Sequence, residues 1–195
     1  MFYETEARSY VRVAPDLFKE DSEKAILNSL KERFDGFISK EIGAVIAVSE
    51  ITKVGEGVII PGDGAAYYDT TFKLFVFKPE LQEVLLAKVN DITDFGAFMD
   101  IGAIDGMIHI SQTMDDYVSF SSSNSLLGKD SKRVLKKKDT CLARIVAVSY
   151  KGDQPKIGLT MRQPGLGKLE WIKEEKQKSK KSEKKEVKPK KEKAK

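Results

Sequence analysis

Residues 91–112 read DITDFGAFMDIGAIDGMIHISQ. Glycines at positions 96, 102 and 106 cut this stretch into short apolar pieces. In GMIHIS, strand alternation puts Ile108 and Ile110 on one face and Met107, His109 and Ser111 on the other. With the isoleucines inward, His109 points out. In FGAFMDI, strict alternation would send Phe95 and Phe98 to opposite faces. A bulge at Gly96 would re-aim one ring and bring both to the same surface.

Outward from this stretch, strands are expected over Glu83–Ile92, Phe95–Ile101, Gly106–Ser111, Thr140–Tyr150 and Lys156–Arg162. A long polar segment, Gln112–Lys138, lies between the third and fourth. Five short strands with one long connection predict a Greek-key barrel of the OB-fold class. In KIGLTMR, Ile157, Leu159 and Met161 face in, and Lys156, Thr160 and Arg162 face out. An exposed aromatic pair beside His109, Lys156 and Arg162 suits single-stranded nucleic acid. Bases stack on the rings at roughly 1–3 kcal/mol each while cations track the phosphates.

The N-terminal half has a different pattern. FYETEARSYVRV alternates Tyr10 and Arg12 against Val11 and Val13 and predicts a strand. Asp21 or Ser22 caps a helix whose Ile26, Leu27, Leu30, Phe34 and Phe37 recur at helical spacing, with Gly36 as a stop. Ile42–Thr52 and Thr71–Phe77 are further strands. Between them Gly55, Gly57, Gly62 and Gly64 predict a projecting turn. No GK[ST] follows these glycines and no GxGxxG opens a helix, so the spacing does not support a phosphate loop and reads as tight turns. The expected fold is an α+β domain over 1–79, with a small antiparallel sheet and one main helix. An all-β barrel over 80–165 and a disordered basic tail over 166–195 follow.

Charge divides along the same lines. From Lys168 to Lys195 there are 13 Lys against 6 Glu, a net of +7, and the remainder carries 21 basic and 24 acidic residues, a net of −3. The tail has few apolar residues to bury and is expected to be disordered, unless Leu169–Gln177 starts a frayed helix. It reads equally as a solubilising extension or a polyanion clamp. The single cysteine, Cys141, excludes an intrachain disulfide and a Cys-rich zinc site. No apolar run reaches membrane-spanning length, which predicts a soluble protein of the cytoplasm. His109 is the only histidine, and no nucleophile pairs with it in sequence. Asp91, Asp94, Asp100 and Asp105 sit at turns, where Asp is favoured for local hydrogen bonding. No catalytic site, metal or cofactor is expected.

The stretch VNDITDFGAFMDIGAIDGMIHISQ strongly resembles the RNA-binding OB-fold domain named after the largest small-subunit ribosomal protein, the "S-one" domain. That resemblance implies RNA contact by Phe95, Phe98, His109 and Lys156. The SYVRVAP, IGAVIAV and GEGVIIPGDGAAYYDTTFKLFVFKP segments resemble, in colinear order over about residues 1–165, the E-prime family. These are the larger stalk subunits of archaeal DNA-directed RNA polymerase, equivalent to the seventh subunit of the eukaryotic enzymes. The resemblance implies a tip domain that docks on the polymerase core near the clamp. It also implies a partnership with the small F subunit and a barrel that meets nascent single-stranded RNA. By the same resemblance, the turn with Gly55, Glu56, Gly57, Gly62, Asp63 and Gly64 is the candidate docking surface. Nucleotide addition would then belong to other chains. An RNA-binding subunit of an exosome or translation complex is the alternative. For the SFSSSNSLLGKD core of the Gln112–Lys138 segment, ordering only on the bound F subunit is one option.

Overall fold

Alternation sets the first strand, β1 (Phe2–Val13), as expected. Val11 and Val13 are buried and Tyr10 is exposed. After a 3-10 turn at Pro15–Lys19, α1 (Ser22–Phe34) begins at Asp21, whose carbonyl accepts the Ala25 N–H at 2.9 Å. The computed structural model describes residues 1–121, 124–151 and 154–186. It divides into two compact units, Met1–Glu80 with Val148–Lys156, and Leu81–Ala147 with the chain from Ile157.

The first unit's sheet contains β2 (Ile38–Ser39), β3 (Gly43–Ile59) and β4 (Ala66–Phe77), in the order β1-β4-β3-β2. Ile26 and Leu30 of α1 pack with Val45, Val48, Phe72, Leu74 and Val76 of the sheet. Fully burying each such side chain contributes about 1.5–3 kcal/mol. Along β3 the register against β4 shifts between Val45 and Ala47, Val48 and Glu50, Ile51 and Lys53, and Val54 and Gly57. Each shift inserts an extra residue, so the core-facing positions recur every third residue, Val45, Val48, Ile51 and Val54, instead of every second.

These bulges carry the strand past its expected end at Thr52. Gly55, Glu56 and Gly57 lie inside β3, not in a turn. A Cβ at Gly55 would stand 2.9 Å from the Asp69 carbonyl oxygen, and one at Gly57 would stand 2.7 Å from the Tyr68 ring. Those two glycines are there for close approach. Only Gly62, Asp63 and Gly64 occupy the connection, where both glycines have positive φ.

The barrel is built from β5 (Val84–Thr93), β6 (Gly96–Asp100), β7 (Asp105–His109), β11 (Thr140–Lys151) and β12 (Gln154–Thr160). Strands run in the order β12-β7-β6-β5-β11, and a β12–β11 pairing closes the ring. Val89, Ala97, Met99, Ile108, Ala143, Ile145 and Leu159 fill its interior.

The polar segment 112–138 forms a small antiparallel sheet of its own: β8 (Val118–Ser121), β9 (Ser125–Gly128) and β10 (Val134–Lys136). Leu126 and Leu135 are fully buried in it. The Asp116 carboxylate ties its far end. It accepts from the backbone N–H of Ser131 at 2.8 Å, from that of Asp130 at 3.1 Å, and from the Ser131 hydroxyl at 2.7 Å.

The expected tail starts too early at residue 166. β13 (Gly167–Lys168) pairs with β11, and Lys168 bonds Asp139 at 3.1 Å. α2 (Leu169–Glu186) follows, and its Trp171 and Ile172 are buried because they are the apolar residues available to anchor it. The helix open as an option over Leu169–Gln177 is formed and continues to Glu186. Residues 187–195, the rest of the expected disordered tail, lie outside the described residues.

Candidate nucleic-acid interface

Phe98 belongs to β6, between the buried Ala97 and Met99, so alternation turns its ring outward. Phe95 precedes β6 and lies in the β5–β6 turn, where alternation does not govern it. The two rings meet edge to face, with centroids 6.0 Å apart and planes at 88°. Phe95 is 46% exposed and Phe98 is half-buried. The aromatic pair therefore forms without a bulge at Gly96. The bulge is on the neighbouring strand, between Val89 and Asp91, and it sets Asp91 opposite Phe98.

Gly96 has another task. It pairs directly with His109 across β6 and β7, and a Cβ there would stand 2.0 Å from the Ile108 carbonyl oxygen. The bare glycine lets β6 approach β7 closely opposite His109. His109 is exposed, as alternation predicts. Its Nδ1 accepts the Ser111 backbone N–H at 3.3 Å and lies 2.8 Å from the Ser111 hydroxyl. Met107, opposite Phe98, is half-buried and extends the apolar floor.

The cations divide differently. Lys156 is exposed near the start of β12 and belongs to the first compact unit. Arg162, beyond the end of β12, bonds the Asp115 carboxylate through Nε at 3.0 Å. Both partners are well exposed, so this pair is weak and can open. Thr160, expected to face out, is buried, because its hydroxyl donates to Gln112 Oε1 at 2.9 Å. A cation absent from the sequence reading meets the strand partner of Phe98: Lys137 Nζ bonds Asp91 at 3.4 Å. It was missed because its approach depends on the fold of the 112–138 segment.

Of the aspartates expected at turns, Asp94 lies in one, while Asp91 lies within β5, Asp100 closes β6 and Asp105 opens β7. Asp100 accepts the Gly102 N–H at 2.8 Å, and Asp105 accepts from Asn90 at 3.2 Å. Among the described residues no group of three or more His, Cys, Asp or Glu is placed to hold a metal ion. No helix among them is long and apolar enough to cross a membrane.

At the other candidate surface, Asp63 is already engaged within its own domain. Its carboxylate accepts two bonds from Arg12, at 2.9 and 2.7 Å, and one from the Tyr67 hydroxyl at 2.5 Å. These donors hold its pKa down at about 2. Glu56 and the exposed Gly62 and Gly64 flank an apolar strip instead: Val58, Ile59 and Ile60 are 58%, 63% and 47% exposed. Three consecutive aliphatic residues beside a glycine turn, with no facing helix stripe to cover them, were the available signal.

A small helix-covered sheet followed along the chain by a closed barrel with a surface aromatic pair defines the class: a sheet domain joined to a barrel of the RNA-binding type. Residues 78–159 match the S1 RNA binding domain, and residues 8–64 match the SHS2 domain found in the N terminus of Rpb7p/Rpc25p/MJ0397. The chain is 37% identical over 180 residues to DNA-directed RNA polymerase subunit Rpo7 of Saccharolobus solfataricus, covering 91% of this chain and 100% of that one. It is 36% identical to the subunit of the same name from Sulfolobus acidocaldarius, over 90% of this chain and 97% of that one. A yeast relative, DNA-directed RNA polymerase III subunit RPC8 of Saccharomyces cerevisiae, is 33% identical over 58% of this chain and 54% of its own. This chain belongs to the Rpo7 family, the larger stalk subunits of archaeal DNA-directed RNA polymerase, and works in transcription as a non-catalytic part of that complex.

Proposed function

We propose that the barrel offers Phe95, Phe98 and His109 to nascent single-stranded RNA, with Lys156 and a released Arg162 on its phosphates. The observation that carries this reading is the edge-to-face phenylalanine pair, whose intervening Gly96 is the strand partner of the exposed His109. Rings fixed by a turn and a strand are pre-organised, and a base stacks on either with little sequence preference. The lysine and arginine contacts make binding weaken with salt.

In the same proposal the first domain docks on the polymerase core near the clamp, favours the closed clamp, and shares the small F subunit as partner, in the cytoplasm. The docking surface is the end of the β3–β4 hairpin. Its contact residues are Val58, Ile59 and Ile60, with Glu56, Gly62 and Gly64 at the rim, because exposed apolar patches rimmed by polar residues mark protein interfaces. Gly55 and Gly57 serve the strand, and Asp63 holds the turn in shape.

Equilibrium binding of the full chain to a single-stranded RNA of about a dozen nucleotides tests the RNA reading. Phe95→Ala is expected to bind about tenfold more weakly at moderate salt. Unchanged affinity in a folded variant would remove Phe95 from the site.

A further inference from the structure

The segment Lys129–Lys138 reads KDSKRVLKKK, six basic residues against the single acid Asp130, in a globular part that is otherwise net acidic. The fold lays this segment along β10 and its flanks. Lys129, Lys132, Lys136, Lys137 and Lys138 are exposed. One end is joined to the aromatic pair. Lys137 bonds Asp91, and Asp91 faces Phe98 across the strands. The backbone there is pinned to β5, with Lys138 N–H donating to the Val89 carbonyl at 2.8 Å.

The other end carries an aromatic residue of its own. Tyr117 is 72% exposed, and the Lys129 ammonium stands 5.7 Å from its ring centre. The Lys129 N–H donates to the Tyr117 carbonyl at 2.9 Å, and the Asp116 carboxylate ties the same corner to Asp130 and Ser131. Ring and cation are thus presented on a braced backbone. Solvation alone would explain scattered lysines. It does not explain a fixed aromatic–cation pair at the far end of a basic strand that starts beside Phe98.

We infer that the 112–138 sheet is a second section of the single-stranded RNA path, running from Phe98 over Lys137 and Lys136 to Tyr117 and Lys129. This rests on the RNA reading of the barrel and lengthens its footprint. From Lys137 back to Arg133 the strand spans roughly 13 Å. A short RNA would fill the barrel site alone, while a longer one would also reach the basic strand. The ligand is recognised by its phosphates and one further stacked base, without a base-edge code.

The test uses the full chain and two oligouridylates, one of about 6 and one of about 20 nucleotides, titrated at several salt concentrations. The variant Lys129→Ala/Lys136→Ala/Lys137→Ala changes exposed side chains and avoids the left-handed positions Lys132 and Lys138. It should bind the long RNA about tenfold more weakly, with the log–log salt slope reduced by about 2, and leave the short RNA unchanged. Tyr117→Ala should weaken the long RNA about fivefold with no change in slope. If both variants bind long RNA as the parent does while Phe95→Ala still weakens both lengths, the path ends at the barrel. The basic strand would then face an acidic protein surface. If Phe95→Ala also changes nothing, this inference and the RNA reading of the barrel fail together.

Discussion

Phe95 and Phe98 stand three residues apart yet share one surface, with ring centres 6.0 Å apart. A turn residue and an outward strand residue achieve this, where two strand residues at odd spacing would not. The pair depends on the tight β5–β6 turn, and the turn depends on Gly96.

Gly96→Ala is expected to destabilise the barrel by about 1–3 kcal/mol, because the new methyl meets the Ile108 carbonyl oxygen. The same change should weaken RNA binding at temperatures where the variant is still folded, since Gly96 lies between the two phenylalanines and pairs with His109. Urea unfolding followed by RNA titration measures both effects.

Cys141 is fully buried in β11, and burial pushes its thiol pKa up to about 12. The thiolate is the reactive form, so the native chain should be inert to aromatic disulfide reagents at neutral pH. One equivalent of thiol should react once the chain is unfolded. Rapid modification of the native chain would mean that β11 opens on its own.

Asp116 is held at a pKa of about 2, first by the backbone and side chain of Ser131, with further bonds from Asp130 and Tyr117. An unfolded aspartate titrates near 3.9. A carboxyl lowered by folding stabilises the folded state fully above its unfolded value and loses that contribution as pH falls toward its folded one. The corner bearing Tyr117 should therefore hold at pH 5 and loosen between about pH 4 and 2. Side-chain titration by NMR would check it, and Asp116→Asn should remove the transition.

Ile59→Asp alters an exposed residue and should change stability by no more than about 0.5 kcal/mol. It should nonetheless abolish co-purification of the chain with the polymerase core. Retained co-purification would move the docking surface away from the hairpin end.

Most of the fold follows local rules that a sequence displays. Val11 and Val13 against Tyr10, and Ile108 against His109, alternate as pleated strands must, and the Ile26–Leu30 stripe has helical spacing. The β3 strand broke the rule because its repeated bulges put core residues at every third position, a spacing that alternation does not recognise. The 112–138 sheet was illegible because Leu126 and Leu135 sit in two-residue apolar pairs, Leu126–Leu127 and Val134–Leu135, too short to show a period, and their burial is a tertiary fact. The aromatic pair and His109 were legible as a motif. The positions of Lys137 and Arg162, and the engagement of Asp63 by Arg12, depend on long-range pairing that no local pattern encodes.

The most direct test is photo-crosslinking in a stalled transcription complex assembled with this chain, using nascent RNA that carries a photoreactive uridine just beyond the exit channel. The account predicts a crosslink to the barrel that falls sharply in Phe95→Ala/Phe98→Ala while the chain remains bound to the polymerase. An undiminished crosslink in that variant, or none with the parent chain in place, would contradict it.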